Sequence, residues 1–202
     1  MATAILVIGL AAAGLLLFLL LATLLSGTFR IWPTPGPGTW QSYVFWPLFR
    51  GLNALCFAMA VVDTAGYLGL PAWLRILALA ALVASTMLFI YAFHVLGRDN
   101  SYGARDGLVT SGIYRWSRNP QNTMLIVVYG CLAVATDGGG TYLLCASMMA
   151  VYALMVFCEE PWLESIYGPS FRRYCRQVPR FINLRRVLVL LQVTARRCVS
   201  RA

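Results

Sequence analysis

Residues 122–158 read NTMLIVVYGCLAVATDGGGTYLLCASMMAVYALMVFC. Two uncharged apolar runs, 122–136 and 141–158, flank DGGG at 137–140. Three consecutive glycines punctuate a chain far more readily than they sit inside a regular element. The stretch therefore predicts a helical hairpin, with the glycines as its turn. The first run is short for a membrane span, and the second is close to the ~20 residues that cross a bilayer at 1.5 Å each.

Upstream of the hairpin, three further runs have the same character. Residues 4–25 form an uninterrupted apolar segment, residues 44–66 carry Arg50 near the start and Asp63 near the end, and residues 76–96 end with His94. The first run has no basic start, since Met1 to Thr3 carry no charge, so it reads as a span rather than a signal peptide. TPGPGTW at 34–40 is a loop set by its prolines and glycines. The fold class that follows is all-α: a polytopic membrane protein with about five transmembrane helices and interfacial C-terminal helices. A four-span arrangement with a re-entrant second segment separates Arg30 from the other arginines less cleanly.

Composition agrees. The 202 residues are 60% hydrophobic and 11% charged, with mean hydropathy +0.72. A soluble domain of this length has no interior large enough for so much apolar side chain. The net charge is +9, and every basic residue is arginine. In such a chain basic residues flank spans and face anionic headgroups, so nucleic acid is not a partner. The six cysteines show no metal-ligand spacing and His94 is the sole histidine, so no metal site is expected. No Walker loop, nucleophile elbow or dinucleotide fingerprint occurs.

Arginine placement gives an orientation. Arg98, Arg105, Arg115 and Arg118 follow the third run, and a second group runs from Arg172 to Arg201. With five spans both groups share a side with Arg30 and Arg50, and only Arg75 falls opposite. The N-terminus is then outside and the C-terminus cytoplasmic. The tail reads as two interfacial helices. FRRYCRQVPRF at 171–181 puts Phe171 and Tyr174 on one face and arginines on the others, with Pro179 as its stop, and LRRVLVLLQVTARR at 184–197 is too short to cross.

Ionisable residues at membrane depth are costly and default to function. Glu159 and Glu160 end the hairpin on the side of the arginine-rich loop, so Arg115 and Arg118 are their natural partners. Arg118, Asn119 and Gln121 add donors, and Tyr114 adds an aromatic face and a hydroxyl. Such a pocket carries both signs of charge and suits a zwitterionic ligand. His94, at a helix end, reads as an interfacial polar residue.

GLVTSGIYRWSRNPQ at 107–121, followed by a hairpin and then EEPWLESIYGPSFRRYCRQVPRFI at 159–182, resembles the superfamily of isoprenylcysteine carboxyl methyltransferases and phospholipid N-methyltransferases. The pieces occur in the family's order across roughly residues 96–182. This divides the chain into N-terminal transmembrane helices, 1–95, and a methyltransferase-like region, 96–202. The resemblance implies S-adenosylmethionine as methyl donor and a lipid or lipidated molecule as acceptor, either an isoprenylcysteine-type carboxylate or a phospholipid amine.

It also implies site residues. Gly112, Tyr114, Arg118, Asn119, Pro120 and Gln121 form the loop side of the cofactor site. Glu159 and Glu160 form its hairpin side, and Tyr174 folds back from the tail with Val178 and Arg180. Arg118, Asn119 and Arg180 are the implied catalytic residues. Prenylcysteine enzymes usually have Arg-His-Pro where this chain has Arg118-Asn119-Pro120, whereas phospholipid enzymes and many bacterial-type relatives tolerate Asn there. The expected location is a bacterial-type inner membrane. A sterol-reductase-like oxidoreductase and a non-catalytic membrane protein that keeps the pocket are the alternatives.

Overall fold

The computed structural model describes residues 1–97, 100 and 107–182. Five helices, α1 (Ala2–Leu25), α2 (Trp40–Val62), α3 (Ala72–Leu96), α4 (Pro120–Thr136) and α5 (Gly139–Gln177), form one bundle, with no strand among the described residues. Four of them are long and apolar enough to cross a membrane, and α4 is a shorter apolar helix of 17 residues. The protein is a polytopic membrane protein. The second interfacial helix expected at 184–197, Arg98, Arg105 and the last arginines lie outside the described residues.

Helices α3, α4, α5 and α1 pack in sequence, and α2 closes against α1, α5 and α4. In lipid, apolar surface gains little from leaving its solvent, so association rests on close packing and internal hydrogen bonds. Gly9 of α1 illustrates the first: a Cβ there would lie 2.7 Å from Leu144 of α5. Asn53 illustrates the second. Its Oδ1 accepts from the Tyr129 and Tyr152 hydroxyls, and its Nδ2 donates to the Phe49 carbonyl at 2.6 Å. Every polar group of that cluster finds its partner inside the bundle, as hydrocarbon requires.

A hairpin forms where expected, but its turn is shorter than DGGG: only Asp137 and Gly138 connect the helices, while Gly139 and Gly140 stand in the first turn of α5. Asp137 takes a left-handed conformation and is fully buried. Its carboxylate accepts from the Leu68 and Leu70 N–H groups at 3.0 and 2.9 Å and from the Tyr142 hydroxyl at 3.3 Å. Asp63, the C-cap of α2, accepts from the Thr141 N–H at 3.0 Å. A Cβ on Gly138 would lie 2.0 Å from the Asp63 carbonyl oxygen, so only glycine lets the two connections meet. Arg75 donates to the Ala135 and Thr136 carbonyls at 2.9 and 3.2 Å. It caps the C-terminus of α4, which accounts for one arginine standing apart from the rest.

One boundary differs from expectation. The fifth helix does not stop at Glu159-Glu160-Pro161 but runs through Pro161 to Gln177, with a kink at Gly168 (φ 50°, ψ −122°). A proline costs a helix one N–H donor and crowds the preceding turn, and here the helix absorbs it. The expected separate tail helix is thus the last part of α5 beyond the kink. Its faces are those the sequence indicates: Phe171 and Tyr174 are buried, while Arg172, Arg173 and Arg176 are exposed.

Candidate active site

The loop before α4 is built around Gly112. Its φ of 57° suits glycine, and a Cβ would come 3.3 Å from Val95. The chain then makes a 3-10 turn, Gly112–Arg115, that buries Tyr114. Burial pushes the Tyr114 phenol well above its ordinary range, so the ring stays neutral; its oxygen accepts from Gln121 Nε2 at 3.2 Å. Tyr174 donates to the Tyr114 carbonyl at 2.6 Å, and Arg118 N donates to the Pro179 carbonyl at 2.9 Å. Ser117 Oγ and Asn119 Nδ2 both donate to the Arg180 carbonyl, at 3.3 and 3.2 Å. Residues 174–180 are thereby strapped to the loop.

The two glutamates have different environments. Glu160 is the centre of a charge network. Arg118 reaches its Oε1 at 2.9 Å, Arg180 reaches its Oε2 at 2.7 Å, and Asn119 Nδ2 donates to Oε1 at 3.3 Å. Arg118 also donates to the Cys175 carbonyl at 3.0 Å, and the Arg180 guanidinium lies 4.4 Å from the centre of the Phe157 ring. Both Glu160 oxygens are engaged. Glu159, one position earlier and so turned about 100° around the helix, has no ion-pair partner among the described residues. The Trp32 indole nitrogen is a polar neighbour of Glu159, but it makes no regular hydrogen bond.

Both glutamates line a cavity of ≈ 200 Å³ at this end of the bundle. Tyr114, Arg118, Asn119, Gln121, Asn122 and Tyr174 form its polar wall; Trp46, Phe49, Phe93, Leu96, Tyr152 and Met155 form its apolar one. The first turn of α4 opens onto it through Gln121 and Asn122, and no side chain caps that N-terminus. Uncapped N-terminal N–H groups favour an anion.

Of the residues the sequence singled out, Tyr114, Arg118, Asn119, Gln121, Glu159, Glu160 and Tyr174 share this cavity. Gly112 and Pro120 shape the backbone behind it, as the turn's first residue and the first residue of α4. Arg180 reaches it through Glu160. Arg115, expected as a glutamate partner, is exposed and has no carboxylate partner among the described residues; the second partner is Arg180. His94 is exposed on the last turn of α3 and is absent from the cavity wall. Sequence reasoning missed Trp32, Trp46, Phe49 and Phe93, which come from the first half of the chain. The aromatic density of WQSYVFWPLF at 40–49 was the available signal.

A family model described as phospholipid methyltransferase matches residues 59–170, more than half of the chain. The phosphatidylethanolamine N-methyltransferases of Aspergillus terreus and Aspergillus clavatus are each 33% identical over 76 residues, which is 37% of this chain and 8% of the relative. That of Penicillium rubens is 33% identical over 67 residues, 33% of this chain and 7% of the relative. The chain thus matches less than a tenth of the length of these curated relatives. No solved structure matches it. These relatives are fungal and lend no support to the bacterial-type inner membrane expected from the sequence.

Proposed function

Since the chain belongs to the phospholipid methyltransferase family, we propose that it transfers a methyl group from S-adenosylmethionine to the amine of a phospholipid headgroup, in the cavity at the cytoplasmic end of the bundle. The observation that carries this is Glu159: a carboxylate without an ion-pair partner among the described residues, in the wall of a cavity whose other side is aromatic and apolar. When bound, the donor supplies an electrophilic methyl carbon on a sulfonium. The residues present fit it: Glu159 would hold its cationic groups, and the N-terminus of α4 would hold its carboxylate, with the Glu160-paired Arg118 in the wall beside it.

Glu160, Arg118, Asn119 and Arg180 act as positioning residues. Their network ties the loop, α5 and residues 178–180 into one wall, so the donor meets a prearranged site. The strap from Tyr174 to Arg180 keeps water from the reacting centre. No side-chain nucleophile is required, because the headgroup nitrogen, as the free amine, attacks the methyl carbon in line; the C–S bond breaks with its electron pair left on the departing thioether, and the ammonium formed gives one proton to water at the headgroup layer. The names of the relatives favour a phospholipid amine over a prenylcysteine carboxylate as acceptor. The concentration of arginines at this end supports a cytoplasmic site.

Calorimetry on purified protein with S-adenosylmethionine, its demethylated product and NADPH tests the donor, and methyl transfer to phosphatidylethanolamine vesicles tests the acceptor. Binding of the first two compounds and labelled phospholipid are the expected results. Binding of NADPH alone would replace this reading with a reductase, and donor binding without any labelled lipid would remove the phospholipid acceptor.

A further inference from the structure

Arg50 lies in the spanning helix α2, ten residues past its first turn's start, and its side chain is exposed on the outer face of the bundle. No carboxylate pairs with it among the described residues. Its only described contact of note is with its own helix: the guanidinium lies 5.2 Å from the centre of the Trp46 ring, one turn back toward the site end. An arginine on a lipid-facing helix surface is costly and calls for a partner, and the ring's quadrupole meets only part of that need. Trp46 is at the same time a wall of the cavity that holds Glu159. One indole thus separates an uncompensated cation on the lipid side from an uncompensated carboxylate on the cavity side.

The neighbouring surface is shallow. Pro47, Gly51 and Ala54 are exposed beside Arg50, and a Cβ on Gly51 would meet nothing within 4 Å. A ligand coming from the bilayer can therefore approach the guanidinium without displacing a large side chain.

We propose that Arg50, backed by Trp46, is the phosphate-binding position for the acceptor lipid: it takes the phosphodiester of a glycerophospholipid that approaches from the bilayer, and the headgroup amine passes Trp46 into the cavity toward Glu159. The proposal rests on the phospholipid-acceptor reading above. The planar guanidinium suits a phosphodiester because it donates two parallel hydrogen bonds to two oxygens. Snorkelling along α2 keeps the charge near the headgroup layer, where that phosphate lies. A generic interfacial anchor would contact any anionic surface; this position selects the lipid that is to react.

The test has two readouts. In native mass spectrometry, the wild-type protein is offered dioleoylphosphatidylethanolamine and dioleoylglycerol, which lacks the phosphate. Wild type should retain the phospholipid preferentially, Arg50→Gln should lose that preference by about tenfold, and Arg50→Lys, which keeps the charge but not the paired donors, should fall between the two. In steady-state methyl transfer, Arg50→Gln should raise KM about tenfold for the phospholipid and leave KM for a phosphate-free long-chain amine, donor affinity and melting temperature unchanged. An unaltered lipid preference in Arg50→Gln overturns the proposal, as does an equal loss with both acceptors. If the preference depends on Arg50 but no donor binds, the lipid position stands and the methyltransferase reading falls. If methyl transfer occurs and Arg50→Gln matches wild type, the reverse holds.

Discussion

Glu159 and Glu160 are adjacent and chemically identical, yet their removal should have opposite signatures. Glu159→Gln keeps the shape and removes one charge from the cavity wall. A hydrogen bond to a charged group is worth about 1.5–3 kcal/mol, so affinity for S-adenosylmethionine should fall by one to two powers of ten while the melting temperature in detergent barely moves. Glu160→Gln leaves Arg118 and Arg180 without their counter-charge. Breaking a buried pair costs about 3 kcal/mol or more, and here Arg180 keeps 38% of its side chain exposed, so the loss should sit at the low end. It should appear first as a lower melting temperature. Equal effects of the two variants on melting would show that Glu159 is structural as well.

At the scale of the helix, α5 depends on Gly168. Its φ of 50° with ψ of −122° lies in a region that side-chain-bearing residues hardly enter. The kink turns the last part of α5 so that Phe171, Tyr174 and Val178 pack together beside the loop that carries Leu108. It also lets residues 179–180 return to Ser117, Arg118 and Asn119. Gly168→Ala should cost about 1–3 kcal/mol in backbone strain, or straighten the helix and withdraw the strap. In either case proteolysis after residue 168 should accelerate and donor affinity should drop, whereas Gly51→Ala, in open space on α2, should change neither. Unchanged donor affinity in Gly168→Ala would mean that the strap does not cover the site.

Across the whole molecule, polar groups collect at the two ends for different reasons. At one end Asp63, Arg75 and Asp137 bind the turns of the bundle to one another. At the other, the Arg118–Glu160–Arg180 network and the cavity lie among the exposed arginines of the last part of α5. By the positive-inside rule the arginine-rich end is expected to be cytoplasmic. Cysteine labelling in sealed membranes checks this: Ser111→Cys should react only after the cytoplasmic face is opened, and Leu68→Cys, at a position 60% exposed, should react from outside. The opposite pattern would invert the topology and place the site on the outer face.

Apolar length and glycine punctuation are local properties, so the hairpin at 122–158, the earlier spans and the grouping of the arginines could be read directly from the chain. The motif residues Tyr114, Arg118, Asn119 and Glu160 were likewise visible as candidates. What differs between Glu159 and Glu160 was not, because it depends on a rotation of about 100° per residue and on partners far along the chain. Arg180 is 20 residues from Glu160, and Arg118 is 42 away. Trp32 and Trp46 carry no motif; only the closing of α1 and α2 against α5 gives them a place in the cavity wall. The end of α5 also escaped a local reading, since Pro161 looks like a stop. Tertiary packing overrode it: the strap and the Glu160 network hold the helix together through a proline that, in an isolated segment, would end it.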